Sequence, residues 1–303
     1  MSRIHEALKK AEQERVAGAA GQPSLVPPLA GDVPLAAGIP VGESATSTSG
    51  APASAAGSGL DTPLARSPQM EWKPDLGTMI FMNGDDNARG AEQFRTLRSR
   101  LYHVREKIKL RSVLVTSALP QEGKSFTAAN LAQVLARQHG RRVLLIDADL
   151  RGPQLHEMLG TTAAPGLSDY LQGKSDEFSI MQRGPLENLF FIPSGAGIQD
   201  PLELLGNGRM QMLLQKVEPL FDWIVVDSPP VIPVSDASVL AKACDGVLMV
   251  VRSNSTPADL AQKARLEFPE ESLVGVVLNA AGDEPAYARY YETYQKNGSA
   301  PRT

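Results

Sequence analysis

The run ALPQEGKS at residues 118–125 is the segment of the chain whose residue types most directly suggest chemistry. It follows an apolar stretch and precedes a helical pattern, which is the context of a phosphate-binding loop. In such a loop the backbone N–H groups and the helix dipole face the phosphates, and Gly123 lets the backbone come close. Lys124 places a positive charge at the β and γ oxygens, and the Ser125 hydroxyl is a ligand for Mg²⁺. These residues predict a site for a nucleoside triphosphate with Mg²⁺.

Three aspartates follow apolar runs that have the pattern of buried strands. Asp147 and Asp149 lie in the run VLLIDADLR at 143–151, and Asp227 ends the run WIVVD. One aspartate at a strand end is often only a helix cap or a turn former. Because ligands of open α/β sheets bind at the carboxyl ends of the strands, however, all three are expected to face the phosphates.

The three carboxylates divide into metal ligands and a catalytic group. Ser125, Asp149 and Asp227 suit Mg²⁺, which takes oxygen ligands from protein, water and phosphate. Asp147 is then left to orient an attacking hydroxyl or to accept its proton. The division of roles between Asp147 and Asp149 stays open, and together with Lys124 we take both as catalytic candidates.

Tyrosines are concentrated near the C-terminus. Four of the six in the chain fall within eight residues: Tyr287, Tyr290, Tyr291 and Tyr294. Residues 282–285 before them and Asn297-Gly298 after them favour an exposed tail. The alternative is a packed aromatic helix, because the spacing places three of the four on one face. A nucleotide site followed by an exposed tyrosine tail suggests a protein that phosphorylates its own end.

Strand and helix patterns alternate between these motifs. Apolar runs at 112–117, 143–147, 189–193, 223–227, 247–252 and 273–279 predict strands, and helices are expected between them, one of them over 201–217. Several of these runs are apolar throughout, which is typical of parallel strands covered on both faces. The fold class is therefore a doubly wound, mostly parallel α/β sheet of the P-loop type.

Composition divides the chain into four parts. Residues 1–17 are predicted to form a short amphipathic helix, either a frayed leader or a docking helix for a partner. Residues 18–86 are predicted to be a disordered linker, because the stretch 21–70 has no aromatic residue and only four charged ones. The P-loop domain is placed at 87–283 and the tail at 284–303.

Composition also limits the classes of function. The net charge is −4, and no basic face of the kind that nucleic acid requires is apparent. The longest uninterrupted apolar run, VLMVV at 247–251, is far shorter than the ~20 residues of a membrane span. We therefore expect a cytoplasmic protein that reaches a membrane only through a partner.

The order ALPQEGKS, LLIDADLRGP and WIVVDSPP resembles the bacterial tyrosine kinases, or BY-kinases, of the P-loop superfamily. The runs EQFRTLRS at 92–99, GLSDYLQGK at 166–174 and VVLN at 276–279 are similar as well, so the resemblance covers residues 89 to 294. It implies ATP and Mg²⁺ as cofactors and autophosphorylation of the tyrosine tail, with a neighbouring subunit supplying the tyrosine. It also implies a set of ATP contacts, which are Gln121, Glu122, Gly123, Lys124, Ser125, Phe126 and Asn279.

The resemblance implies partners too. Glu92, Arg95 and Arg98 are similar to the Glu/Arg helix that mediates ring-like assembly in the family, although a solvated charged face is the alternative. The leader and linker look like a version found in exopolysaccharide export clusters, where the kinase is a separate chain. The implied activator is an integral membrane polysaccharide copolymerase, which would recruit the kinase to the inner face of the membrane. The implied role is the regulation of exopolysaccharide or capsule polymerisation and export.

Two other functions compete with the kinase. One is a positioning or partitioning ATPase similar to MinD and ParA, which usually carries a second lysine five residues before the invariant one, where this chain has Leu119. The other is a non-catalytic nucleotide-sensing scaffold, which does not require intact Lys124, Asp147, Asp149 and Asp227. Phosphotyrosine on the tail distinguishes the kinase from both.

Overall fold

The computed structural model describes residues 63–82 and 90–282. Its strands are β1 (Ser112–Ser117), β2 (Val143–Asp147), β3 (Gln182–Arg183), β4 (Leu189–Ile192), β5 (Trp223–Asp227), β6 (Gly246–Arg252) and β7 (Leu273–Asn279). Its α-helices are α1 (Ala91–Arg105), α2 (Lys124–Ala136), α3 (Leu155–Leu159), α4 (Leu167–Leu171), α5 (Pro201–Gly206), α6 (Arg209–Val217), α7 (Asp236–Ala241) and α8 (Ala258–Leu266). No helix within the described ranges is long and apolar enough to cross a bilayer.

The seven strands form one sheet in the order β3-β4-β2-β5-β1-β6-β7. Every neighbouring pair is parallel except β3 with β4. The central strands are buried along their whole length, because helices cover both faces and successive side chains point to opposite sides. The predicted doubly wound α/β sheet is confirmed.

Each face of the sheet has its own apolar core. On one face Val113 and Val115 pack with helices α1 and α2, while Leu114, which lies between them, points into the other core with α4, α6 and α7. The helix expected over 201–217 is instead two helices. Gly208 has φ 82°, and the Asn207 side chain accepts from the backbone of Arg209 while donating to Leu171 O, so the chain turns there.

Residues 63–82, here called the strap, differ from the prediction of a disordered linker over 18–86. Met70 N–H donates to Arg183 O at 2.9 Å, which adds a one-residue parallel bridge to the outer side of β3. Leu64 and Met79 are fully buried, and the Trp72 ring meets Phe191 edge-on at 6.2 Å. The strap is thus part of the folded domain, and the rest of the predicted linker, 18–62 and 83–86, lies outside the described residues.

The strap ends on the helix that follows the phosphate loop. Asn130 of α2 is fully buried; its Oδ1 accepts from Ile80 N–H at 2.8 Å and its Nδ2 donates to Thr78 O at 2.8 Å. Phe81 continues the contact by packing edge-on against Phe94 of α1. Buried polar groups are costly unless they are paired, so this Asn130 clamp fixes the strap to α2.

Candidate active site

The predicted phosphate loop connects β1 to α2 at the carboxyl edge of the sheet. Its turn requires positive φ angles at Gln121 (63°) and Gly123 (92°), and α2 begins at Lys124. Arg252, at the end of β6, donates from Nη1 to Gln121 O at 3.1 Å. The N–H groups of the first turn of α2 lack partners inside the helix, so this end of α2 suits an anion.

Glu122 and Asn279, both predicted to contact ATP, hold the loop in shape. The buried Glu122 carboxylate accepts from Leu119 N–H at 2.8 Å and from the Thr256 hydroxyl. Asn279 Nδ2 donates to Glu122 O at 2.8 Å. Sequence reasoning missed Thr256 because it lies far along the chain, in the loop between β6 and α8, and belongs to no recognisable motif.

Phe126 was also predicted to contact ATP. Its ring is half-buried and meets the Phe94 ring of α1 at 5.8 Å, so the side chain belongs to the packing between α1 and α2. The backbone N–H of Phe126 lies in the first turn of α2, so the backbone, and not the ring, is the part of Phe126 that can face a phosphate.

The structure brings together the lysine and the aspartates of the predicted site. Lys124 Nζ lies 2.7 Å from Asp149 Oδ2 and 3.8 Å from Asp227 Oδ2. It also donates to Ser125 Oγ at 3.1 Å. All four side chains are buried or nearly so. Residues from the loop and from the ends of β2 and β5 therefore converge on one ammonium group.

Asp147 lies directly beside Asp227, since the two are paired in the register of β2 and β5. Asp147 is fully buried, and its two oxygens accept from Asp149 N–H at 3.2 Å and from Leu155 N–H at 3.1 Å. Asp227 is different, because neither of its carboxylate oxygens has a hydrogen-bond partner within the described residues. Asp147 is thus held by backbone donors, whereas Asp227 depends mainly on the charge of Lys124, with the Ser125 hydroxyl and the Ser228 N–H close enough to lower its pKa as well.

Burial sets the protonation of this group. It raises the pKa of Asp227 from 3.8 to about 6, against the opposing pull of Lys124. Burial also raises the pKa of Asp147 well above its ordinary value, and the neighbouring Asp227 adds to the effect. Burial acts to lower the pKa of Lys124, but Asp227 and Asp149 outweigh it and the pKa is raised. Lys124 is therefore a cation, and the site is short of positive charge.

The predicted oligomerisation residues lie on α1. Arg95 Nη1 contacts Glu92 Oε2 at 3.1 Å, an ion pair within the helix, and half of the Glu92 side chain is exposed. Arg98 instead donates from Nη1 to Val134 O at 3.0 Å, close to the end of α2. Arg98 therefore takes part in packing α1 on α2.

Other predicted features lie outside the described residues. They are the docking helix at 1–17 and the four tyrosines Tyr287, Tyr290, Tyr291 and Tyr294. The tail follows β7, whose last residue, Asn279, contacts the phosphate loop. β7 therefore ends on the same side of the sheet as the site, five residues before the first residue of the predicted tail.

Comparison with known proteins agrees with the geometry. The CobQ/CobB/MinD/ParA nucleotide binding domain matches residues 113–300. Tyrosine-protein kinase YwqD of Bacillus subtilis is 37% identical over 191 residues, which span 62% of this chain and 80% of that protein. Tyrosine-protein kinase CpsD of Streptococcus agalactiae is 31% identical over 208 residues, 68% of this chain and 90% of that protein. The kinase domain of the Escherichia coli tyrosine kinase ETK superposes with a TM-score of 0.60 at 30% identity, covering 68% of this chain and 82% of that one. The chain therefore belongs to the bacterial tyrosine-protein kinases, which carry this nucleotide-binding domain.

Proposed function

We propose that the protein is an ATP- and Mg²⁺-dependent tyrosine autokinase that phosphorylates its own C-terminal tyrosines. One observation carries the proposal: Lys124, Asp149, Asp227 and Ser125 meet at the phosphate loop, with Asp147 beside them. This arrangement matches the needs of phosphoryl transfer, in which positioning and charge stabilisation supply most of the catalysis.

The residues present fit a magnesium–nucleotide complex. The buried Asp227 carboxylate has two oxygens without hydrogen-bond partners in the described structure, which is costly unless a cation binds there. No group of three or more acidic, histidine or cysteine side chains in the described ranges is arranged as a complete metal site. Mg²⁺ in nucleotide sites commonly takes one or two carboxylates together with phosphate and water oxygens, and the proposed site is of that kind.

Each side chain then has a role. Ser125, Asp149 and Asp227 would hold Mg²⁺, which supplies charge neutralisation for the phosphates. Without a ligand, Lys124 Nζ contacts Asp149 Oδ2 at 2.7 Å. With the nucleotide bound, Lys124 would instead contact the β and γ oxygens. Asp147 would orient the tyrosine hydroxyl and accept its proton, since burial raises its pKa and so makes it a better base than an exposed aspartate.

The proposed substrate is the tail of a neighbouring copy. Its four tyrosines are Tyr287, Tyr290, Tyr291 and Tyr294. Glu92, Arg95 and Arg98 would help to hold the copies together, with the exposed side of α1 as the contact. Each added phosphate brings about −1.5 to −2 charges, and the resulting repulsion would loosen the assembly.

The proposal includes a partner and a place in the cell. We infer a cytoplasmic kinase that a membrane polysaccharide copolymerase activates and recruits to the inner face of the membrane. The process controlled would be polymerisation and export of an exopolysaccharide or capsule. Residues 1–17, predicted as a docking helix, are the segment that we propose to contact the partner.

Phosphotyrosine analysis of the full chain with Mg·ATP tests the proposal. Lys124→Met should lower tail labelling by about 100-fold or more, because it removes charge from the transferred phosphoryl group. Lys107→Met, a change at an exposed lysine of the same chain, is the matched control and should label normally. Changing the four tail tyrosines to Phe should remove the label while leaving nucleotide binding intact.

The competing functions give different results. Phosphate release without tyrosine labelling would favour a positioning ATPase, and neither reaction would favour a nucleotide-sensing scaffold. Mixing the Lys124→Met chain with the four-Phe chain tests transfer between copies. Label on the Lys124→Met chain supports transfer in trans, and its absence contradicts it.

A further inference from the structure

An ion pair between a buried carboxylate and a partly exposed arginine links the loops that follow β2 and β5. Arg151 Nε donates to Asp236 Oδ2 at 2.7 Å, and Arg151 Nη2 donates to Asp236 Oδ1 at 2.9 Å. The Asp236 side chain is fully buried, whereas 40% of the Arg151 side chain is exposed. Two parallel donors facing both carboxylate oxygens form a strong and directional type of ion pair.

The backbone beside Arg151 holds a residue of the proposed active site. Asp149 Oδ1 accepts from Arg151 N–H at 3.3 Å and from Gly152 N–H at 3.0 Å. The other oxygen of Asp149, Oδ2, contacts Lys124 Nζ at 2.7 Å. Whatever fixes residues 151 and 152 therefore also fixes the direction in which the Asp149 carboxylate points.

Asp236 connects the loop after β2, which carries Asp149, to the segment that follows Asp227. It is the first residue of α7, and the segment 228–235 joins it to Asp227 at the end of β5. Near the strand ends the two loops meet again, where Ala148 N–H donates to Asp227 O at 2.9 Å. The loops that carry Asp149 and Asp227 are thus joined both at their start and at the Arg151–Asp236 pair.

We propose that Arg151 and Asp236 are positioning residues which hold the Asp149 carboxylate where it can exchange Lys124 for the metal of a bound magnesium–nucleotide complex. This inference rests on the proposed function, because it assumes that Asp149 is a metal ligand there. Groups that orient a metal ligand typically change metal affinity by about 10–100-fold when they are removed. Neither residue touches the reacting atoms, so the expected effect is on Mg²⁺ rather than on the nucleotide alone.

The structure contains a matched control pair. Arg141 Nη1 contacts Asp222 Oδ1 at 2.7 Å, and these residues lie just before β2 and β5, at the opposite edge of the sheet from the phosphate loop. The control pair therefore links the same two strands from their other ends. Comparing the two double variants, together with their melting temperatures, therefore separates an effect on the site from an effect on the stability of the sheet.

The experiment uses double variants, because removing Arg151 alone would leave the buried Asp236 carboxylate without its partner. Arg151→Gln/Asp236→Asn is compared with Arg141→Gln/Asp222→Asn and with the wild type, all as full chains whose folding is verified by circular dichroism and thermal melting. A fluorescent ADP analogue is titrated without Mg²⁺, and then Mg²⁺ is titrated at a fixed concentration of the analogue. No kinase activity is needed for either measurement.

We expect Arg151→Gln/Asp236→Asn to raise the Mg²⁺ concentration for half-maximal effect by about 10-fold or more. Its affinity for the analogue without Mg²⁺ should stay within about two-fold of the wild type, and the control pair should match the wild type in both titrations. An unchanged Mg²⁺ response, or an equal shift in the control pair, overturns the inference. A wild type that binds the analogue with no response to Mg²⁺ instead contradicts the proposed magnesium–nucleotide site, so the two failures are distinguishable.

Discussion

Replacing the Asp227 carboxylate should stabilise the protein at neutral pH while destroying the proposed metal site. Asp227 is fully buried, neither of its oxygens has a hydrogen-bond partner within the described ranges, and its nearest cation, Lys124, lies 3.8 Å away. Burial raises its pKa from 3.8 to about 6. Each pKa unit corresponds to about 1.4 kcal/mol, so ionised Asp227 lowers the free energy of unfolding by about 3 kcal/mol.

The pH dependence of this effect has a definite direction. The folded protein binds the Asp227 proton more tightly than the unfolded chain does, so its stability falls as the pH rises between the two pKa values. Asp227→Asn removes the ionisation but keeps the shape of the side chain. At about pH 4 the variant and the wild type should therefore have similar stability. The advantage of the variant should grow up to about pH 6 and stay constant above it.

Urea denaturation at pH 4, 6 and 8, followed by tryptophan fluorescence, measures these free energies of unfolding. Asp236→Asn is the contrasting variant, because Asp236 is equally buried but fully paired with Arg151. Its loss should destabilise the protein at pH 8 by about 1–3 kcal/mol, because it removes charge-assisted hydrogen bonds while the remaining charge, on Arg151, is 40% exposed and stays hydrated. Mg²⁺ with ADP should stabilise the wild type but not Asp227→Asn. The reasoning is refuted if Asp227→Asn is less stable than the wild type at pH 8, or if the difference between them does not change with pH.

Two further variants test the loop and the strap. Gly123→Ala should weaken nucleotide binding in calorimetric titrations, because a Cβ at φ 92° costs about 1–2 kcal/mol and would also overlap Asn279 Nδ2. Gly140→Ala is the control, because Gly140 also has a positive φ, 70°, but a Cβ there would meet no neighbouring atom. Trp72→Ala should lower the free energy of unfolding by about 3–5 kcal/mol, since the ring packs on Phe191 in a closed environment. A loss below about 1 kcal/mol in urea denaturation would show that the strap contributes little to the fold.

Much of the fold could be predicted because buried parallel strands have an unmistakable pattern. The runs 143–146 and 223–226 are apolar throughout, a pattern typical of strands covered on both faces. The two-residue strand β3 has no such pattern, since its antiparallel pairing depends on the position of β4. The break at Asn207-Gly208 was visible as a turn signal, but the apolar pattern on either side concealed it.

The strap shows where reasoning from composition fails. Residues 21–70 lack aromatic side chains, and the linker prediction was extended from them to residue 86. Trp72, Met79 and Phe81 were the available signal, since apolar residues of that size are seldom left exposed in a short segment. These residues form no helical or strand periodicity, because this part of the strap is neither a helix nor a strand and packs against several elements in turn. Its two contacts with Asn130 also depend on the tertiary structure, so no local rule predicts them.

That the three aspartates lie close together could be predicted, but the groups that position them could not. Strand ends in a parallel sheet meet at one edge, which brings Asp147, Asp149 and Asp227 together whatever lies between them in the chain. The groups that position them come from loops whose path the sequence does not specify. Thr256, which bonds Glu122, and the pair of Arg151 with Asp236 are of this kind, and all three are polar residues that look like ordinary surface positions in the sequence.

The charge balance of the site explains why nucleotide and metal should bind together. Without a ligand, Lys124 is shared among Asp149, Asp227 and the more distant Asp147, and burial raises the pKa values of both Asp147 and Asp227. A nucleotide alone would bring more negative charge to a site in which carboxylates already outnumber cations. A divalent cation reverses that balance: it favours the ionised form of Asp227 and releases Lys124 from Asp149 to the phosphates. The feature that destabilises the ligand-free protein is thus the one that makes binding depend on Mg²⁺.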